Sequence, residues 1–575
     1  MYKHKLKVIA LLFFVVSQTI FQTLAQDFSP MLWLKTTEGT FVNQSMKNYQ
    51  AEITIVGRKV FSVLTLEFDK APKNVAGEAL FLLPIGKQYT IRRFAVQTDS
   101  VLREAFVLEN SYNDYNAFYV TNEEKSKFKM ELPPLSYPSF LYTIQRVKAN
   151  KSQKIVIEYD YEMTLALNQY RFSLSLPQTI LDKITISIQS PTKPSMLNSE
   201  YKNLPIDNNI NQKKIEKNAQ TFVFQAFNFQ AKYDFVGDIE NKVGDKIFVN
   251  KSSFQPYSYF YAEILPCNLE KEEKELPKKI VLFYDQSYSS RNRNRELETN
   301  ILNRYIKKIK EVELRIVGFS NEVLNDKTFN VVNGNFSEIR KHLYNLDSDG
   351  ATNLHGLNFD NYEADEYIVL SDGDDDFGKK TAKQNPHKPV ICLNSVKQMA
   401  NVPPPILFEL AASSGGVYID LNTTTLNEAL EKMLFLPCQF LGLDYNKSTF
   451  GNIQTQKSPL GLQISGKLLN ELGTITLKYG RNGKVKITKE VEISNTNYIQ
   501  SFLLEGIWVG MELENLSKDY QLNHKIIQEL SKKYNIATKG TSWILPETVA
   551  DYLHYGLEPP KDFTNIIKSI FHIKI

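Results

Sequence analysis

Cysteine is scarce: three residues in a chain of 575. Three thiols cannot build a tetrahedral four-cysteine zinc site, and they exclude the dense bridging of small secreted scaffolds. Charge of one sign is also missing. The formal net charge is +4 and the basic residues are scattered, so neither a nucleic-acid-binding surface nor an acidic disordered chain is indicated. Beyond the N-terminus no stretch reaches the ~20 apolar residues of a spanning helix, which predicts no transmembrane segment there. The sequence contains no H-E-x-x-H and no G-x-S-x-G, so zinc-protease and α/β-hydrolase signatures are absent. The seven histidines are dispersed. His355 stands nearest the stretch discussed below, yet an all-oxygen site has no use for it.

The content that is present suits a globular, multidomain chain, with 42% hydrophobic residues and a length that predicts about three or four domains. Residues 1–25 have the form of an export signal. Lys3, Lys5 and Lys7 precede an apolar core from Val8 to Val16, and Thr23-Leu24-Ala25 forms a small-residue site before Gln26. Cleavage after Ala25 is expected, with an uncleaved anchor as the alternative. No cysteine follows that site, which argues against a lipid anchor. The expected location is outside the cytoplasm: secreted, periplasmic or at the cell surface.

The chain is organised around Val281 to Ser290, V-L-F-Y-D-Q-S-Y-S-S. Apolar residues run into Asp285, and Ser287 and Ser289 follow at alternate positions, as in a buried strand opening into a polar loop. Open α/β sheets place their ligands at that end. A carboxylate and two hydroxyls are hard donors suited to Mg²⁺, Ca²⁺ or Mn²⁺. The plainer alternative is a strand-to-helix turn capped by Asp and Ser. Further on, Thr352 lies in D-G-A-T-N-L, and the apolar run Tyr367 to Leu370 ends in Ser371-Asp372-Gly373.

This order, strand-Asp-Ser-Ser, loop-Thr, strand-Asp, resembles the von Willebrand factor type A domain and its metal-ion-dependent adhesion site. The resemblance implies that Ser287, Ser289 and Thr352 ligate the ion by their hydroxyls, and that Asp285 and Asp372 act largely through bound water. Mg²⁺ retains several waters and uses few carboxylates. An ion held by neutral hydroxyls stays electrophilic, so an acidic side chain of a partner can complete its coordination. Asp374, Asp375 and Asp376 lie beside the site; they favour a cation but disfavour an acidic partner. The alternative is a degenerate domain that keeps the fold and binds no metal. Gly373 to Lys380 also approximates a phosphate-binding loop, but Lys380 replaces the required Ser or Thr, and the aspartates would repel phosphate.

The surrounding pattern fits an α/β, doubly wound type A domain over residues 277–437. Leu297, Ile301, Tyr305, Ile306 and Ile309 recur at helical spacing. Val312 to Phe319 reads as a strand, and Ile339, Leu343 and Leu346 form a second helical face. Ile406 to Ala412 precedes Gly415-Gly416 and the strand Val417 to Leu421, and Leu426 to Leu434 is a final helix. Cys267 and Cys438 fall just outside the two ends of this region, which lie close together in the fold type. Outside the cytoplasm that invites a disulfide, with two buried thiols as the alternative.

Residues 26–177 read as an antiparallel β-sandwich, with short alternating runs such as Ala51 to Val56, Val60 to Phe68 and Lys154 to Tyr159. Gly77 to Gly86 with Ile91-Arg-Arg-Phe94, and Ile155 to Glu162 leading to Tyr170 to Pro177, resemble the VIT domain of vault proteins and inter-alpha-trypsin inhibitor heavy chains. Val101 to Asn122 departs from that pattern. Residues 178–276 read as a β-rich connector ending in the charged, solvated hinge Glu270 to Glu275. Residues 438–575 read as a small C-terminal region: a β-hairpin around Gly480 to Gly483, then a helical segment. Thr538 to Pro560 is similar to the segment that follows the type A domain in VIT-containing proteins. The heavy chains' C-terminal aspartate motif for glycosaminoglycan attachment has no equivalent here. The expected function is that of an exported, non-enzymatic adhesion protein that binds a protein or cell-surface ligand through a divalent ion. The alternative is an assembly protein whose ion only stabilises the fold.

Overall fold

The computed structural model describes residues 29–85, 89–98, 101–109, 117–120, 139–166, 169–202, 204–205, 219–240, 244–251, 255–267, 269–374, 386–396, 404–458, 461–497, 499 and 503–561. The expected export signal (1–25) and, of the stretch that approximates a phosphate-binding loop, Asp375 to Lys380 lie outside them. The described chain is mostly β, with several sheets and few helices. Among the described residues no helix is long and apolar enough to cross a membrane. Two compact units divide it: Met1–Lys242 with Tyr498–Ile575, and Val243–Asn497.

In the first unit, period-two burial builds long strands. Along Lys59–Lys70, Leu64, Leu66 and Phe68 are buried while Thr65 and Glu67 are only partly covered, so one face turns inward. That strand lies in a seven-stranded sheet whose order is Gln220–Phe229, Leu181–Ser190, Met46–Val56, Lys59–Lys70, Ser152–Glu162, Thr90–Thr98, Val101–Glu104. A five-stranded sheet faces it through aromatic contacts. Phe94 of the larger sheet meets Phe81, Phe140 and Tyr142 of the smaller, with ring centroids 5.8, 5.7 and 4.4 Å apart. Leu181–Ser190, read from the sequence as part of a connector, instead extends the large sheet, running parallel to Met46–Val56. The C-terminal segment returns to the same unit, where Thr541–Ile544 pairs antiparallel with Phe106–Glu109. Asn535, in the left-handed conformation, accepts from the Val107 amide at 2.8 Å and donates to the Ala105 carbonyl at 3.2 Å, so its amide stands in for a strand partner.

The second unit contains two packed bodies. Lys246–Lys251 and Ser258–Ile264 pair with Gly461–Leu468 and Phe450–Ser458 in one sheet, and Gln439–Tyr445, Leu472–Arg481 and Lys484–Ser494 form another. They share a core that includes Phe260, Ile264, Ile464, Leu477 and Ile493. Strands on both sides of the central region, assigned by sequence to a connector and a tail, therefore complete one structure. The hairpin turns on Asn482 and Gly483, whose φ values of 49° and 72° are both positive, as a two-residue type I′ turn requires.

Between these strands lies a six-stranded sheet made of β1 (Lys279–Asp285), β2 (Val312–Phe319), β3 (Val323–Val331), β4 (Glu366–Leu370), β5 (Val390–Asn394) and β6 (Val417–Asp420). The order is β3-β2-β1-β4-β5-β6, parallel throughout except for the antiparallel edge strand β3. Its helices are α1 (Arg295–Ile309), α2 (Ser337–Tyr344), α3 (Pro405–Ser414) and α4 (Leu426–Leu434). On β1, Ile280, Leu282 and Tyr284 pack with Ile301, Ile339 and Met433 of α1, α2 and α4, while Val281 and Phe283 share the other core with Leu407 and Leu410 of α3. Both sheet faces are thus covered, which is why β1 reads as a continuous apolar run. Each such side chain contributes roughly 1.5–3 kcal/mol when fully buried.

Cys267 and Cys438 form a disulfide across the base of this region, Cα atoms 6.4 Å apart; Cys392 is buried and free. The charged run Glu270 to Glu275 is mostly exposed, as expected of a solvated segment, but it is not a free hinge. Its backbone is tied down by Lys274 N to Leu434 O at 3.0 Å and Leu436 N to Glu272 O at 2.8 Å. Lys274 turns inward to pair with buried Glu366, which also accepts from the Tyr305 hydroxyl at 2.5 Å. Alternating charge along the run hid the one inward lysine.

Candidate metal centre

The sheet register sets the site. Tyr284 of β1 lies opposite Leu370 of β4 in a parallel pair, so both strands end side by side and release Asp285 and Ser371 at the same level. The Ser371 hydroxyl donates to Asp285 Oδ2 at 2.6 Å, and the Ser287 amide donates to Asp285 Oδ1 at 2.8 Å. The second bond bends the chain, bringing Ser287 Oγ and Ser289 Oγ within 3.1 Å of each other. Asp285, Ser287, Thr352 and Asp372 are buried, and Ser289 is half-buried.

A second loop is stitched to the first through backbone groups. Asp349 N donates to Gln286 O at 2.6 Å, Tyr288 N to Gly350 O at 2.8 Å, and Asn353 N to Ser320 O at 3.0 Å. Thr352, 1% exposed, is carried between these ties. Gly350 has φ +82°, a left-handed turn that suits glycine. The Gln286 side chain braces the same loop by donating to Asp347 O at 2.7 Å. It lies directly against Gly318, where an added Cβ would come within 1.9 Å of Gln286 Oε1.

Electrostatics then single out Asp372. Burial first, and the Asp285 charge second, push its carboxyl up to about 6, against the Ser289 hydroxyl and the Asp374 amide. The Asp374 amide reaches Oδ1 at 3.0 Å, while the buried Oδ2 has no hydrogen-bond partner among the described residues. Two carboxylates in a poorly solvated site, one with an unused oxygen, surrounded by neutral hydroxyls, form a donor set that fits a hard divalent cation. Among the described residues no group of three or more His, Cys, Asp or Glu could hold a metal; hydroxyls supply the remaining donors of this set.

Ser287, Ser289 and Asp372 are therefore linked through their side chains, Asp285 through the Ser287 amide, and Thr352 through the backbone of its loop. Sequence reasoning missed three supporting residues. Ser371 was visible as the neighbour of Asp372, and its part follows from the register. Ser348, which accepts from the Ser290 hydroxyl at 2.9 Å and gives its carbonyl to Arg291 at 2.6 and 2.9 Å, had no signal. Arg293, fully buried, had none either.

No family model matches the sequence, and no curated protein matches it. Solved structures resemble parts of it weakly. An aerotolerance-related membrane protein from Bacteroides fragilis NCTC 9343, with multiple mutations to serines, is 12% identical over 27% of this chain and 96% of its own, with a TM-score of 0.19. The conserved hypothetical protein BatB from Bacteroides thetaiotaomicron is 11% identical over 27% and 96%, with a TM-score of 0.20. The three N-terminal domains of the type V pili tip protein Mfa5 from Porphyromonas gingivalis are 7% identical over 44% and 76%, with a TM-score of 0.22.

Proposed function

We propose that this chain is an exported, non-enzymatic adhesion protein: a VIT-type β-sandwich combined with a doubly wound type A domain that engages a protein or cell-surface ligand through a divalent cation. The observation that carries this reading is the convergence at the ends of β1 and β4. There Asp285 accepts from the Ser287 amide, the Ser287 and Ser289 hydroxyls lie 3.1 Å apart, the Ser289 hydroxyl bonds Asp372, and the backbone of the Thr352 loop is bonded to the same turn. Asp285, Ser287, Ser289, Thr352 and Asp372 would hold the ion, with Mg²⁺ first in line and Mn²⁺ or Ca²⁺ as substitutes. When bound, the ion supplies an electrophilic position that an acidic side chain of a partner can occupy. The protein's residues do the rest: the hydroxyls contribute neutral donors, the carboxylates balance charge, and the hydrogen-bonded loops keep the set assembled without the ion.

Mn²⁺ titration followed by electron paramagnetic resonance, paired with chelator-reversible capture of partners from the native cell surface, tests the proposal. Asp285→Ala, and the milder Ser289→Ala at a half-buried position, should abolish or weaken both readouts while the fold persists. Partner capture that survives in the variants, with only the melting temperature lowered, would instead favour an assembly protein in which the ion stabilises the fold.

A further inference from the structure

Arg293 is a fully buried cation directly beneath the candidate site, with 0% of its side chain exposed. Its Nη1 donates to the Leu370 carbonyl at 2.5 Å and its Nη2 to the Asp285 carbonyl at 2.8 Å. Those are the last residues of β4 and β1, the two strands from whose ends the carboxylates project. The guanidinium lies over the Tyr284 ring, 4.6 Å from its centroid. Glu298 of α1 faces Arg293 Nε at 3.6 Å. Glu298 in turn accepts from the Ser395 hydroxyl at 2.5 Å, and that oxygen accepts from the Asn294 amide at 2.8 Å.

A buried pair of this kind is a poor stabiliser, because desolvation of both charges offsets most of their attraction. Its geometry serves another purpose: one planar fork spans two strand ends. We propose that Arg293 is a positioning residue for the cation site, fixing the spacing between the strand ends that carry Asp285 and Asp372, with Glu298, itself bonded by Ser395, as its buried counter-ion. The inference rests on the metal reading above. A lysine at 293 keeps the charge but has a compact head without the planar fork. Replacing Arg293 and Glu298 together by methionine removes equal and opposite charges and leaves no unpaired ion. Both changes therefore alter the geometry while leaving the net charge under the site unchanged.

The test uses the full chain and Mn²⁺ as probe. Arg293→Lys and the double variant Arg293→Met/Glu298→Met should each bind Mn²⁺ about tenfold or more weakly, as loss of a partner behind the ligands does elsewhere, and should broaden the resonance of the bound ion. Ile339→Ala, a core truncation in α2, should lower the melting temperature yet leave affinity and line shape unchanged. Two variants give two chances of a folded protein, and Mn²⁺ affinity equal to the parent's in either folded variant overturns the inference. A parent that binds no Mn²⁺ removes the metal reading and this inference with it. A parent that binds, together with variants that bind equally well, removes this inference alone.

Discussion

Asp372 shows what burial does to a single carboxyl. Its ionisation is pushed up to about 6, first by burial and then by the Asp285 charge, so in the metal-free protein the proton is held more tightly folded than unfolded. The stabilisation linked to that proton is complete below the ordinary value of 3.8 and is lost as pH rises through about 6. A shift of this size corresponds to roughly 2–3 kcal/mol at neutral pH. Asp372→Asn should therefore raise the melting temperature of the chelator-treated protein at pH 7.5, change it little near pH 4, and abolish stabilisation by Mg²⁺. A melting temperature at pH 7.5 unchanged or lowered by the substitution would contradict this. The same proton competes with the cation, so Mn²⁺ affinity measured by calorimetry should fall towards tenfold per pH unit once the pH drops below about 6.

At the scale of elements, local pattern and context contributed unequally. The helix Leu426 to Leu434 matches α4, and it starts in a capping box: the Thr425 hydroxyl accepts from the Glu428 amide at 3.3 Å, and the Glu428 carboxylate accepts from the Thr425 amide at 2.9 Å. Thr425→Ala should lower stability by about 1 kcal/mol in denaturant unfolding, since it removes the cap without touching the core. The strand Val312 to Phe319 was equally legible, as its apolar run is buried on both faces. β3 escaped notice because it is an edge strand: only Phe329 and Val331 are buried among its nine residues, leaving little alternation to read. The charged run before β1 misled for the opposite reason. Most of its side chains are exposed, yet its backbone bonds to the segment that follows α4.

The whole chain is arranged as insertions in sequence. Unit Val243–Asn497 interrupts the first unit, and the six-stranded sheet interrupts the strands that pair around Phe260 and Ile464. Residues 243–497 produced alone should fold and keep Mn²⁺ binding. A chain ended at Asn497 should lose cooperative folding of its first unit, because Thr541–Ile544 and Asn535 supply strand pairing to Phe106–Glu109 and its approach. Circular dichroism and limited proteolysis would reveal either outcome. The disulfide closes a separation of 171 residues, for which the chain-entropy model gives up to about 5 kcal/mol. Cys267→Ser with Cys438→Ser should accordingly lower the calorimetric transition of the second unit, and an unchanged transition would refute a stabilising bridge.

The sequence by itself determined which residues are apolar, where strands and helices alternate, and which oxygen-bearing side chains stand at strand ends, because periodicity and turn chemistry are local properties. It also brought Cys267 and Cys438 under suspicion as a pair. Only the tertiary structure decided that strands almost two hundred residues apart complete one core, that a lysine in a charged run turns inward, and that Arg293 spans Asp285 and Leu370. Those outcomes depend on which strand ends become neighbours once the sheets assemble, and that adjacency leaves no trace in the spacing of residues along the chain.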